Sequence, residues 1–272
     1  MAWNEGIMNQ VAGTMLTILD TYLVANDYWS LYDDSAGTLT KVYRNYDASA
    51  NVDYYVKVDD HYAYYVEIEL WEGWDAGSHN GIGQRLHQDS GNTNALYIHK
   101  PAGGYGIAVG DHRFIFCDLA NYNGYYFGQL SRIDASKNMP IVVCSSYSSG
   151  AGKNPLGARN YAAGSSAATS WQCLFDENGT KRTIHPFCDF NLTNESESII
   201  SKLESKTISG TYLILETPII NHANKLVMGY LDGVMWKGQT QSGLSNGDIV
   251  QYNGVDWIAL GNGDCWCLVR KS

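Results

Sequence analysis

The sequence predicts an α+β fold that is mainly antiparallel β, sandwich or barrel-like, with one N-terminal amphipathic helix. Three observations carry that expectation. Apolar side chains recur at three- and four-residue steps near the N-terminus, then alternate with a period of two from Tyr28 onward. Glycine (28) far outnumbers proline (5), and 20 tyrosines with 8 tryptophans dominate the aromatics, a composition of short strands and tight turns. Asn-Gly pairs at 178–179 and 253–254 lie between β-prone runs, where they favour two-residue hairpin turns.

The expected helix comes first. Ile7, Met8, Val11, Met15, Ile18, Leu19 and Tyr22 form one apolar stripe, Asn4 is the candidate N-cap, and Asn26-Asp27 ends the run. Strands are expected over 52–58 and 62–70, with Asp59-Asp60-His61 as the turn between them. In the second, Tyr64, Val66, Ile68 and Leu70 should face the core and Tyr65, Glu67 and Glu69 should face outward. Residues 74–94 hold almost no aliphatic side chain and read as a projecting loop. Further strands are expected at 96–98, 106–109, 113–119, 125–130 and 141–145. A soft Ser/Gly/Ala/Asn stretch follows over 145–170. Beyond it come strands at 171–176 and 181–184 flanking Asn178-Gly179, then a short helix over 195–206. The C-terminal strands are expected at 212–216, 225–230, 248–252, 255–260 and 265–269. This divides the chain into a helix-plus-β region (1–145), a loop or linker (146–170) and a C-terminal β region (171–272), which can equally form one continuous domain.

A length of 272 residues, 44% hydrophobic and 17% charged, suffices for a substantial core and excludes a disordered or fibrous chain. The net charge of −10, with basic runs no denser than Lys181-Arg182 and Arg270-Lys271, argues against sequence-specific nucleic-acid binding. The N-terminus lacks a basic leader region and no apolar run approaches a membrane span, so neither export nor membrane insertion is expected. Cys117, Cys144, Cys173, Cys188, Cys265 and Cys267 lack the density of a disulfide scaffold and read as reduced thiols.

Catalytic motifs are not apparent. There is no phosphate-binding loop and no nucleophile elbow, and Asn80-Gly81-Ile82-Gly83 lacks the third glycine of a dinucleotide site. His185-x-x-Cys188 and Cys265-x-Cys267, with His79 and His87, could supply zinc ligands, but their spacing is not that of paired knuckles, and ordinary core or surface roles explain them better. Glu67 and Glu69 share a strand face about 7 Å apart and could mimic a glycosidase pair, although outward acids usually just solubilise a strand. No cofactor is expected. Trp71-Glu72-Gly73-Trp74, Tyr122 to Tyr126 and Tyr54-Tyr55 are read first as core or interface filling, with sugar stacking as the alternative.

Two stretches carry a resemblance. One is Gly110-Asp111-His112-Arg113-Phe114-Ile115-Phe116 followed by Gly124-Tyr125-Tyr126-Phe127-Gly128-Gln129-Leu130. The other is Gly229-Tyr230-Leu231-Asp232-Gly233-Val234, then Gly247-Asp248-Ile249-Val250-Gln251-Tyr252-Asn253-Gly254 and Val255-Asp256-Trp257-Ile258-Ala259-Leu260. This layout resembles virion structural proteins of tailed bacteriophages, encoded among tail and neck genes. The resemblance implies a non-enzymatic subunit of the tail, neck or baseplate, made in the host bacterial cytoplasm. Its expected partners are copies of itself, in a ring or trimer, and other virion proteins. A receptor- or glycan-binding module of the tail tip and a capsid decoration protein are the alternatives. In either soft segment the large or polar side chains are the expected assembly contacts: Trp74, His79, Arg85, His87, Lys153, Asn154 and Arg159.

Overall fold

Three antiparallel sheets stack in layers, and the middle layer is covered on both faces. The computed structural model describes residues 1–49, 52–83, 96–121, 123–132, 142–145, 171–173, 184–186, 214–221, 226–237, 245–262 and 265–271. In chain order the elements are β1 (Ala2–Met8), α1 (Thr14–Leu19), β2 (Ser30–Gly37), β3 (Thr40–Asp47), β4 (Val52–Asp59), β5 (Tyr65–Trp71), β6 (Gly73–Asp75) and β7 (Asn80–Ile82). They continue with β8 (Leu96–His99), β9 (Gly103–Gly110), β10 (Arg113–Asp118), β11 (Asn123–Gln129), β12 (Ser131–Arg132), β13 (Val142–Ser145), β14 (Trp171–Cys173) and β15 (Ile184–Pro186). The last are β16 (Ile214–Asn221), β17 (Leu226–Lys237), β18 (Ile249–Tyr252), β19 (Val255–Asn262) and β20 (Cys265–Arg270).

The outer sheet has the order β2-β3-β4-β5-β8 and the central sheet β1-β9-β10-β11-β13-β14. The third sheet runs β15-β16-β17-β20-β19-β18, with β12 also on β17, and β6-β7 form a separate hairpin. The arrangement is a sandwich, mainly antiparallel β with one short helix, and no barrel closes among the described residues. Alternation in the sequence reports the layer. In β5 Val66, Ile68 and Leu70 are buried while Tyr65, Glu67 and Glu69 are only partly covered, as expected for a sheet with one core face. Strands β9 and β10 are buried almost continuously because the central sheet has a core on each side.

The first core joins α1, the inner face of the outer sheet (Tyr43, Tyr54, Val56, Val58, Val66, Ile68) and one face of the central sheet (Ile107, Phe114, Phe116, Phe127). The second joins the opposite face of the central sheet (Ala108, Ile115, Cys117, Tyr126) to Leu231, Val234, Ile258, Leu260, Cys267 and Val269 of the third sheet.

The N-terminus corrects the predicted helix boundaries. Residues 2–8 form an edge strand, and helix begins only at Thr14, after Gly13 at φ 82°. Met8, Met15, Ile18 and Leu19 are buried as expected, but Ile7 and Val11 are 78% and 57% exposed. The physical reason is glycine complementarity. Gly6 and Gly106 leave room for the rings of Tyr105 and Trp3 to lie across the β1–β9 pair, and glycine disfavours helix. Six residues of α1 are extended by a π-helical turn over Asp20–Val24.

A buried ion pair holds the start of α1. The Asp60 carboxylate accepts from the backbone N–H of Met15 (2.8 Å) and Leu16 (3.3 Å) and pairs with Lys100, whose ammonium also donates to the carbonyls of Val11 (2.9 Å) and Tyr62 (2.6 Å). Asp60 is therefore not an exposed hairpin residue. The connection spans 60–64, and Tyr64 lies outside the strand, exposed rather than in the core. Further along, the expected hairpin at 171–184 is also corrected: β14 pairs with β13 and β15 with β16, in different sheets, while Asn178-Gly179 lies outside the described residues. So do the expected helix at 195–206 and residues 84–94 and 146–170.

Candidate interaction surface

The outer face of the five-stranded sheet gathers aromatic and charged groups along its length. Register places Val42, Arg44 and Tyr46 of β3 beside Lys57, Tyr55 and Asp53 of β4; on β5, Glu69 then stands beside Lys57 and Trp71 beside Tyr55, with Glu67 beside Asp59. At one end, Arg44 donates through Nε and Nη2 to both oxygens of Asp53, each at 2.8 Å. Its guanidinium carbon lies 5.9, 5.5 and 5.9 Å from the ring centres of Tyr32, Tyr46 and Tyr55. Burial, followed by the Asp53 charge, pushes the Tyr55 hydroxyl up to about 12. This is a cation held between three π faces and a carboxylate.

In the middle, the β6–β7 hairpin lies on the sheet and is clamped by Asp33. Trp74 Nε1 donates to Asp33 Oδ2 at 2.8 Å, and His79 Nδ1 stands 2.8 Å from the same oxygen. The backbone N–H and hydroxyl of Ser35 donate to Oδ1, both at 3.0 Å. Burial alone raises the Asp33 pKa, but these bonds from His79, Trp74 and Ser35 outweigh it and hold the carboxyl well below the usual range. At the far end, Tyr62 and Tyr65 stack at 4.3 Å and Tyr97 meets Tyr65 edge-on at 5.2 Å.

Trp74 and His79, two of the expected assembly contacts, are thus brought together by one carboxylate. Trp74 is only 5% exposed, packed against Val42 and Tyr55, which corrects its assignment to a projecting loop. A paired hairpin covers part of that segment because Trp74 can seat its ring on the sheet and its N–H on Asp33. Arg85, His87, Lys153, Asn154 and Arg159 lie outside the described residues.

The sugar-stacking alternative is corrected at several of its residues. Tyr54, Tyr125 and Tyr126 are buried core residues, and the Tyr54 hydroxyl donates to the His112 carbonyl at 2.9 Å. Among the described residues the exposed tyrosine rings are instead those of Tyr32, Tyr46, Tyr62, Tyr64 and Tyr252, none of which the sequence offers for sugar stacking. Asp33 was missed as well: Asp33-Asp34-Ser35 reads as turn chemistry, and its partners lie 41 and 46 positions away.

Glu69 does not stand as an open acid. Its carboxylate takes Trp71 Nε1 at 3.2 Å and Lys57 Nζ at 3.5 Å. Among the described residues, no three His, Cys, Asp or Glu side chains cluster to hold a metal ion. Cys267 is buried in the second core, while His87 and Cys188 lie outside the described residues. No protein-family model matches the chain, and no curated protein matches it.

Proposed function

We propose that this chain is a non-enzymatic structural subunit of a tailed-bacteriophage virion, in the tail, neck or baseplate, assembling with copies of itself and with neighbouring virion proteins. One observation carries the reading. The two stretches behind the resemblance, more than 90 positions apart, meet in a single structural unit. Arg113 of the first pairs with Asp232 of the second at 2.6 Å. Around that pair Ile115, Tyr126 and Leu130 of the first stretch share a core with Leu231, Val234, Ile258 and Leu260 of the second. Both stretches are therefore packed scaffold, which suits a structural subunit. The test is peptide mass spectrometry with immunogold microscopy on gradient-purified particles from cells expressing the surrounding genes. The subunit is expected to band with particles and decorate one place on them. Recovery only from the soluble cell fraction overturns the reading.

A receptor- or glycan-binding module is the second reading, favoured by the exposed rings of Tyr32, Tyr46, Tyr62 and Tyr64 near the carboxylates of the outer sheet. Saccharide binding on an array, lost in Tyr62→Ala with the fold intact, supports it. An array without hits removes it.

A further inference from the structure

The edges of the three sheets are not alike. The β2 edge of the outer sheet carries two register shifts and the aspartates 33 and 34, while β8 at its other edge and β18 of the third sheet are four residues each. Bulges, charges and shortness are the usual devices that stop a strand edge from pairing with another chain. Strand β1 is neither bulged nor short. It runs seven residues in unbroken register with β9, from Ala2 opposite Val109 to Met8 opposite Gly103. It holds no proline and no basic residue. Its one charge, Glu5, is matched by Lys271 Nζ at 2.7 Å and Trp3 Nε1 at 2.8 Å. Among the described residues, no strand lies on its outer side. An antiparallel edge strand turns about half of its backbone N–H and C=O groups away from its partner. Beside those groups stands Ile7, 78% exposed, with Val11 just beyond the strand.

We propose that the outer edge of β1 is a strand-pairing surface whose occupant is β1 of a second copy of this chain, joined antiparallel about a two-fold axis. A two-fold axis normal to the sheet keeps each face on its own side, so residues of equal parity stand opposite one another. With the axis at Glu5, the exposed Ile7 of one copy faces Trp3 of the other, and the two Glu5 carboxylates, each held by its own Lys271, stand opposite one another. Charge favours this contact over a broad face. A chain of net charge −10 repels its copy, whereas β1 is locally neutralised by Lys271. The pairing joins two six-stranded central sheets into one continuous sheet.

The inference goes beyond the virion reading. A soluble dimer never found in particles leaves this pairing standing and removes that reading. The experiment is sedimentation velocity of the full chain over a concentration series, with Ile7→Glu and the control Ile249→Glu on β18. Circular dichroism checks each fold. The wild type is expected to be a dimer. Ile7→Glu, which sets a carboxylate against Trp3 and diagonal to Glu5 of the other copy, should raise its dissociation constant roughly tenfold, and the control should leave it unchanged. A monomer at every concentration, a ring of three or more, or a dimer that Ile7→Glu does not weaken overturns the proposal.

Discussion

At the residue scale, Gly128 and Asp33 each do something that no other side chain can do in place. Gly128 has φ 122°, and a Cβ there would lie 2.2 Å from the His112 carbonyl oxygen and 2.6 Å from Arg113 Cα. Both neighbours are backbone, so neither can swing away. Gly128→Ala is expected to cost about 2–4 kcal/mol, read as a lower urea midpoint with an unchanged slope. Asp33 is tested by acid. Its carboxyl is held below the usual range when folded and returns to about 4 when unfolded. The stability it supplies is complete above that value and drains as the pH falls through it towards the folded pKa. Asp33→Asn turns an amide N–H₂ towards one pair of donors, so it should lose about 1–3 kcal/mol at pH 7. Its deficit should narrow by pH 3. Urea midpoints at both pH values check this, and a deficit independent of pH counts against the clamp.

At the element scale, the N-terminal 26 residues supply both an edge strand and the helix that closes the first core. Met8, Met15, Leu16, Ile18, Leu19 and Leu23 are all buried, each side chain contributing roughly 1.5–3 kcal/mol. A chain lacking residues 1–26 is expected to be insoluble, because it bares that core and the β9 edge together. A soluble truncation with a cooperative melt refutes this. Lys100→Met probes the helix anchor more narrowly. It leaves Asp60 buried with a charge opposed only by two amide N–H groups, at an expected cost of about 3–5 kcal/mol, and adding Asp60→Asn should recover part of the loss. The elements also show what was legible in the sequence. The period of two in β5 was plain, as was the Asn253-Gly254 turn, where both residues take positive φ and Tyr252 pairs with Val255. Strand β1 was not. Its Met8 continues the helical spacing of Met15, Ile18 and Leu19, so one stripe ran unnoticed across Gly13. Strands β2 and β3 are harder to read because buried Asp33, Asn45 and Asp47 interrupt the apolar alternation. The candidate surface was therefore half legible: Trp74 and His79 stood out in a bland stretch, but the carboxylate joining them did not.

At the scale of the whole molecule, the central sheet makes the two cores depend on each other. Its strands supply Phe114, Phe116 and Phe127 to one core and Ile115, Cys117 and Tyr126 to the other from adjacent positions. Removing the third layer would expose one face of β9–β11 to water, so the layers should come apart together. Cys117 and Cys267 report on this directly. Both thiols are fully buried in the second core, one from the central sheet and one from the third, and burial with the Asp118 charge beside it pushes the Cys117 thiol above its ordinary range. A thiol that is both inaccessible and protonated reacts only when the core opens. Trp29, buried in the first core against Tyr54 and Phe114, reports on the other side. The expectation is that iodoacetamide labels neither cysteine in the native protein, and that both become reactive over the same urea range in which Trp29 loses its buried fluorescence, measured in a chain whose other tryptophans are replaced by phenylalanine. Labelling of both cysteines at lower urea, with Trp29 still buried, would mean that the third layer peels away as an independent unit, and the central sheet would then be a boundary between two folding units rather than their shared core.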